Sequence, residues 1–169
     1  MKPYEQGRLD GLCAVYGIVN AARIIAGIDE EQSKDLFKRI IIYLEKKKDL
    51  PRILISGMGL KTIGSIFGDV MGDIIKNRSM PFKQYPDTPL DVFWEEMMNF
   101  LEGGERQAIF IGLGGVYDHW SIVESITDKQ IRLFDSFKLQ RLNRSRCATI
   151  RCTSHRPHLL CPTHTYFLS

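Results

Sequence analysis

The sequence predicts an α+β domain, because segments with helical periodicity fill residues 12–102 and short β-rich runs follow from residue 108 to the end. A third observation concerns placement. Cys13 stands apart from the other three cysteines, at the start of the most apolar helical segment, and a histidine and an aspartate stand at the ends of neighbouring β-rich runs. The 169 residues suit one domain, 1–169, large enough to bury a core.

Taken in order, Leu12–Ala26 places Val15, Ile18, Val19, Ala22, Ile25 and Ala26 on one helical stripe, opened by Asp10 or Gly11 and closed by Gly27. Cys13 falls in the first turn, where unpaired backbone N–H groups and the helix dipole favour a thiolate. Asp29 and Gln32 form a capping box for a second helix with Leu36, Phe37, Ile40, Ile41 and Leu44 inward and a solvated Lys46-Lys47-Lys48 end. A shorter helix is expected over Leu60–Val70, in a stretch from Gly57 to Gly72 whose glycines also fit a lid. Residues 78–89 read as an extended connection, after which Asp87 or Thr88 caps a helix with Pro89 near its first position. Phe93, Trp94, Met97 and Leu101 form its apolar face, and Gly103-Gly104 ends it. The period then changes from 3.6 to two. Ala108–Leu113, His119–Ser125 and Ile131–Phe134 predict an antiparallel meander, and His164–Leu168 a closing strand.

Composition removes several classes of function. Hydrophobic residues at 44% and charged residues at 25% exclude a disordered, collagenous or simple coiled-coil chain. A net charge of +3 gives no nucleic-acid footprint, and no apolar run approaches the roughly 20 residues that span a membrane. The polar N-terminus lacks a secretory signal, so cytoplasmic synthesis without Sec export is expected. Gln6 lies so near the start that no inhibitory propeptide is expected either.

The chemistry lies in four residues. In a hairpin, residues equidistant from the turn face each other, so a turn near Thr127 and Asp128 brings His119 close to Asp135. A thiol at a helix start plus an imidazole and a carboxylate on adjacent strand ends supplies a nucleophile, a base and an orienting group. Cys13 would attack a carbonyl carbon, His119 would hold the ion pair and protonate the leaving group, and Asp135 would fix the imidazole tautomer. Gln6 is the candidate oxyanion donor, its side-chain amide acting beside the Cys13 backbone N–H. Trp120 is expected to cover the His and Asp pair. Asp10, Gly11 and Ser136 adjoin these residues as possible cleft or support positions.

Gln6-Gly7 leading to Asp10-Gly11-Leu12-Cys13, His119-Trp120 opening a strand, and Asp135-Ser136 closing the next together resemble the papain-like cysteine peptidase pattern. Compact bacterial, C39-like members are the most similar, and the tetrapeptide before and including Cys13 also resembles that of ovarian-tumour-type deubiquitinases. The resemblance implies a helical part packed on an antiparallel sheet, with a protein or peptide substrate in the cleft between them. It implies cysteine hydrolysis of amide bonds, as a peptidase, deamidase or acyltransferase, without a cofactor, nucleic acid or membrane. By analogy, such a protein could be a bacterial effector or toxin delivered by a dedicated apparatus. Two other functions fit parts of the sequence. A papain-like domain kept only as a peptide-binding module would not need a reactive Cys13. Cys147, Cys152, His155, His158, Cys161 and His164 include two pairs with zinc-ligand spacing, the basis of a small zinc-binding module.

Overall fold

A computed structural model describes residues 1–7 and 9–169. Among the described residues five α-helices pack on one sheet: α1 (Cys13–Ala26), α2 (Glu30–Lys46), α3 (Leu50–Ser56), α4 (Leu60–Asp69) and α5 (Leu90–Glu102). The strands are β1 (Arg78–Ser79), β2 (Ala108–Gly115), β3 (His119–Ile126), β4 (Gln130–Leu133), β5 (Arg141–Asn143), β6 (Cys147–Ala148) and β7 (His158–Leu168). The sheet order is β1-β7-β2-β3-β4-β5, antiparallel throughout, with β6 added to β7 as the parallel pair. The class is α+β.

Strand alternation divides the core in two. On one face Phe110, Trp120, Ile122 and Tyr166 pack with α1 to α4; on the other Ile109, Ile111, Val123 and Phe167 pack with Phe93, Trp94 and Met97 of α5. Each fully buried side chain of this size is worth about 1.5–3 kcal/mol. Helix α1 lies on β2 and β3 so closely that a Cβ at Gly17 would meet the Phe110 ring at 2.7 Å. Its buried Asn20 is satisfied by the backbone of Tyr4, accepting from the N–H at 2.8 Å and donating to the carbonyl at 3.1 Å. The N-terminal segment is thereby tied along α1. No helix of the described residues is long and apolar enough to cross a membrane.

The capping box at Asp29 and Gln32 is formed, and Gly27 ends α1 in the left-handed conformation. Several local expectations change. Periodicity does not mark α3, since seven residues make too few turns to show a stripe, although Pro51 in its first turn is a start signal. Pro89 sits at the N-cap of α5, one position earlier than expected, and no side chain caps that helix: the Thr88 hydroxyl donates to the Tyr85 carbonyl instead. The supposed extended connection contributes β1, which pairs with β7. The last strand starts six residues early and lies between β1 and β2 rather than at the edge of the meander. The 57–72 stretch is no lid: Met58, Ile63, Ile66, Phe67 and Met71 are buried in the core.

Candidate active site

Cys13 is the first residue of α1, and its position is fixed from both sides. The Asp10 carboxylate accepts the Leu12 N–H at 3.1 Å, which turns the chain into the helix, and the Gly11 N–H donates to the Leu54 carbonyl at 2.9 Å. A Cβ at Gly11 would lie 2.5 Å from the Ile53 carbonyl oxygen and 2.7 Å from the Gly57 nitrogen, so only glycine lets the start of α1 meet the end of α3. The segment after α3 in turn anchors β3: the Trp120 indole N–H donates to the Met58 carbonyl at 3.0 Å. Trp120 stacks on Phe110 at 5.0 Å on the helical side of the sheet. It therefore braces the strand that carries His119 and does not cover the His and Asp pair from above.

His119 opens β3, and its Nε2 lies 2.6 Å from Asp135 Oδ1. The hairpin expectation holds for proximity but not for register. A bulge between Val123 and Ser125 shifts the pairing, Val123 faces Leu133, and Asp135 falls two residues past β4, nearest to Ser121. Ser121 donates its hydroxyl to the same Oδ1 at 2.6 Å, and Oδ2 accepts from the N–H groups of Phe137 at 2.7 Å and Leu139 at 3.0 Å. His119 reaches the carboxylate diagonally. Ser121 was not singled out from the sequence; its signal was alternation, two residues from His119 and hence on the same face.

The electrostatics follow from these contacts. Burial alone would lower the His119 pKa, but the hydrogen bond to Asp135 and then the neighbouring Cys13 outweigh it and carry the imidazole from 6.5 up to about 9. Burial would raise the Asp135 carboxyl; His119, then Ser121 and the Leu139 N–H, hold it below its ordinary value instead. With Nε2 committed to Asp135, Nδ1 is the ring atom left for Cys13. At neutral pH the arrangement is an imidazolium between a buried carboxylate and a sulfur.

Gln6 joins the group through the opposite strand end. Its N–H donates to the Ser136 carbonyl at 3.1 Å, and Ser136 Oγ donates to its Oε1 at 3.2 Å. Its Nε2 makes only a 3.5 Å contact with the Asp10 carbonyl, so the donor end of the amide retains capacity. Gln6, Asp10, Gly11, Cys13, His119 and Trp120 line one cleft of about 450 Å³, walled by residues 55–58, Val116, Tyr117, Asp118, Phe137 and Leu139. A larger hollow of about 650 Å³ between the N-terminal segment and β4 contains neither Cys13 nor His119. The helical segments contribute only residues 55–58 beyond the start of α1 to the cleft wall, because α5 packs towards the opposite end of β3, where the Trp94 indole donates to the Thr127 carbonyl.

The cysteine and histidine set near the C-terminus is dispersed. Cys147 is buried, His155 is exposed, and His158 stacks on Tyr117. Among the described residues no three His, Cys, Asp or Glu side chains gather so as to hold a metal ion, which removes the structural basis of the zinc module. Comparison of the chain with protein-family models, with curated proteins and with solved structures finds no match.

Proposed function

We propose that the chain is a papain-like cysteine hydrolase that acts on amide bonds of a protein or peptide through a thioester. The observation that carries this reading is the His119 geometry: one ring nitrogen on a fully hydrogen-bonded Asp135, with Cys13 lining the same cleft, and the imidazole pushed up to about 9 by the two together. The neutral imidazole, with Nε2–H on Asp135, takes the Cys13 proton at Nδ1 before substrate arrives, and the imidazolium so formed holds the thiolate at the helix start. The thiolate of Cys13 attacks the carbonyl carbon, and the oxyanion takes hydrogen bonds from the Gln6 amide and the Cys13 backbone N–H. His119 gives its proton to the leaving nitrogen, which departs as an amine or ammonia and leaves the acyl group on sulfur. Water, deprotonated by the now neutral His119, attacks the thioester; the acid is released and the Cys13–His119 ion pair returns. Peptide cleavage, side-chain deamidation and acyl transfer share this acyl-enzyme and differ in what resolves it.

The test is the pH dependence of alkylation at each of the four cysteines in the intact fold, read by mass spectrometry and repeated in His119→Ala. Rapid labelling of Cys13 alone, persisting well below pH 8 and lost in His119→Ala, is the expected result. Slow labelling of Cys13, unaffected by His119→Ala, overturns the hydrolase and leaves the alternative of a binding module.

A further inference from the structure

The cleft that holds Cys13 and His119 has a rim that water does not favour. Ten large hydrophobic side chains are exposed among the described residues, and three of them, Ile55 (85% exposed), Val116 (62%) and Phe137 (55%), line this cleft. They come from three separate places: the end of α3, the turn between β2 and β3, and the loop between β4 and β5. None is needed to fill the core, and chain proximity does not explain their meeting around Cys13. Scattered apolar side chains on a surface are ordinary, but convergence on one concave site marks binding.

We propose that this rim binds a polypeptide segment bearing apolar side chains next to the amide that Cys13 attacks. The proposal rests on the cysteine-hydrolase reading and names its substrate class. The occupant follows from the two kinds of surface present together. At the floor, the Gln6 amide and the His119 imidazolium offer hydrogen bonds that a peptide carbonyl and nitrogen can satisfy. At the mouth, Ile55, Val116 and Phe137 gain only from apolar contact, and the Phe137 ring, 6.1 Å from that of His119, places that contact beside the chemistry. An acyl chain of a lipid would leave the floor unsatisfied, and an acidic peptide would set carboxylates against the rim and against Asp10 and Asp118. A volume of about 450 Å³ accommodates a short extended segment rather than a folded domain.

The experiment uses the full chain and measures how two decapeptides, one with leucine and phenylalanine along its length and one with those positions changed to aspartate, slow iodoacetamide alkylation of Cys13. Protection by the apolar peptide at concentrations about ten-fold lower than its acidic counterpart supports the proposal. The double variant Ile55→Asp, Val116→Asp should then remove the difference; both residues are exposed, so the fold tolerates the charges. Equal protection by the two peptides while Cys13 keeps its His119-dependent reactivity overturns the substrate class and leaves the hydrolase standing. A Cys13 whose alkylation ignores His119→Ala overturns the hydrolase and this proposal with it. A dimer in solution that dissociates in the double variant makes the rim a self-interface and overturns the proposal as well.

Discussion

At one end of the sheet a cysteine and a histidine line one cleft and an aspartate holds the histidine; between residues 147 and 164 three cysteines and three histidines lie far closer in sequence, yet among the described residues no three of them gather as a metal site would need. The environments diverge with the topology. His119, hydrogen-bonded to Asp135 and beside Cys13, is pushed up to about 9, whereas burial and then the Arg146 charge lower His158, whose Nδ1 is buried without a hydrogen-bond partner. Burial pushes the Cys147 thiol up to about 12, and that thiol merely donates to the Asn143 carbonyl at 3.3 Å. A histidine is pushed up or down according to whether a strand end, a helix start and a loop deliver charged or hydrogen-bonding partners to it. Spacing along the chain does not decide this.

Replacing the thiol in each region breaks the comparison most directly. Cys13→Ser should remove at least about 10³-fold of kcat/KM on any amide substrate found, with the melting temperature nearly unchanged. Cys147→Ser should leave turnover intact and lower stability by about 1–3 kcal/mol, because it places a strongly polar hydroxyl in the α5 core. Paired activity and thermal-melt measurements check both. Loss of the fold in Cys13→Ser with activity intact in the remainder would make Cys13 a core residue.

The two histidines should also give opposite slopes of stability against pH. The folded state raises His119 from 6.5 to about 9, so its contribution is full below pH 6.5 and is lost as the pH rises through about 9, at most about 3 kcal/mol. The folded state lowers His158, so its contribution is present above pH 6.5 and is lost as the pH falls. Melting temperatures between pH 6.5 and 9 should therefore decline in the wild type and in His158→Gln alike and flatten in His119→Gln, whereas the part of the wild-type loss below pH 6.5 that comes from His158 should disappear in His158→Gln. A wild-type profile that stays level over this range would sink the assignment of the imidazolium.

The contrast also shows what a sequence makes visible. Residues with a strong period or a cap, such as the stripe of α1 or the Asp29 box, are set by interactions within a few residues, and both are found where the sequence places them. Cys13 and His119 were legible because each stands at the end of such an element. The short pieces were not: α3, β5 and β6 owe their form to partners distant in sequence, Leu54 to Gly11, Asn143 to Gln130, Cys147 to His158. Asp135 was located by hairpin symmetry, but the bulge in β3 depends on packing and moved its direct partner to Ser121. The apolar rim was invisible for a related reason. Exposure belongs to the folded surface, and Ile55, Val116 and Phe137 carry no pattern that separates them from core residues.

Ser121 gives the smallest effect and the finest test of the site. It shares Asp135 Oδ1 with His119, while Oδ2 keeps its two backbone donors, so Ser121→Ala leaves the carboxylate ionised but removes the bond that fixes its rotation. Ser121 would act as a positioning residue, and a single hydroxyl bond to an ionised carboxylate is worth about 1.5–3 kcal/mol. The expected loss in kcat/KM is about ten-fold, the lower end of that range expressed as a rate, since Oδ2 keeps its two backbone donors. A role confined to packing would cost stability and leave the pH profile where it was. If Ser121 holds Asp135 against His119, its loss weakens the interaction that carries the imidazole to about 9, so the alkaline limb of kcat/KM should move down towards pH 6.5. The pH at which that limb falls in Ser121→Ala, set against the wild type, separates the two.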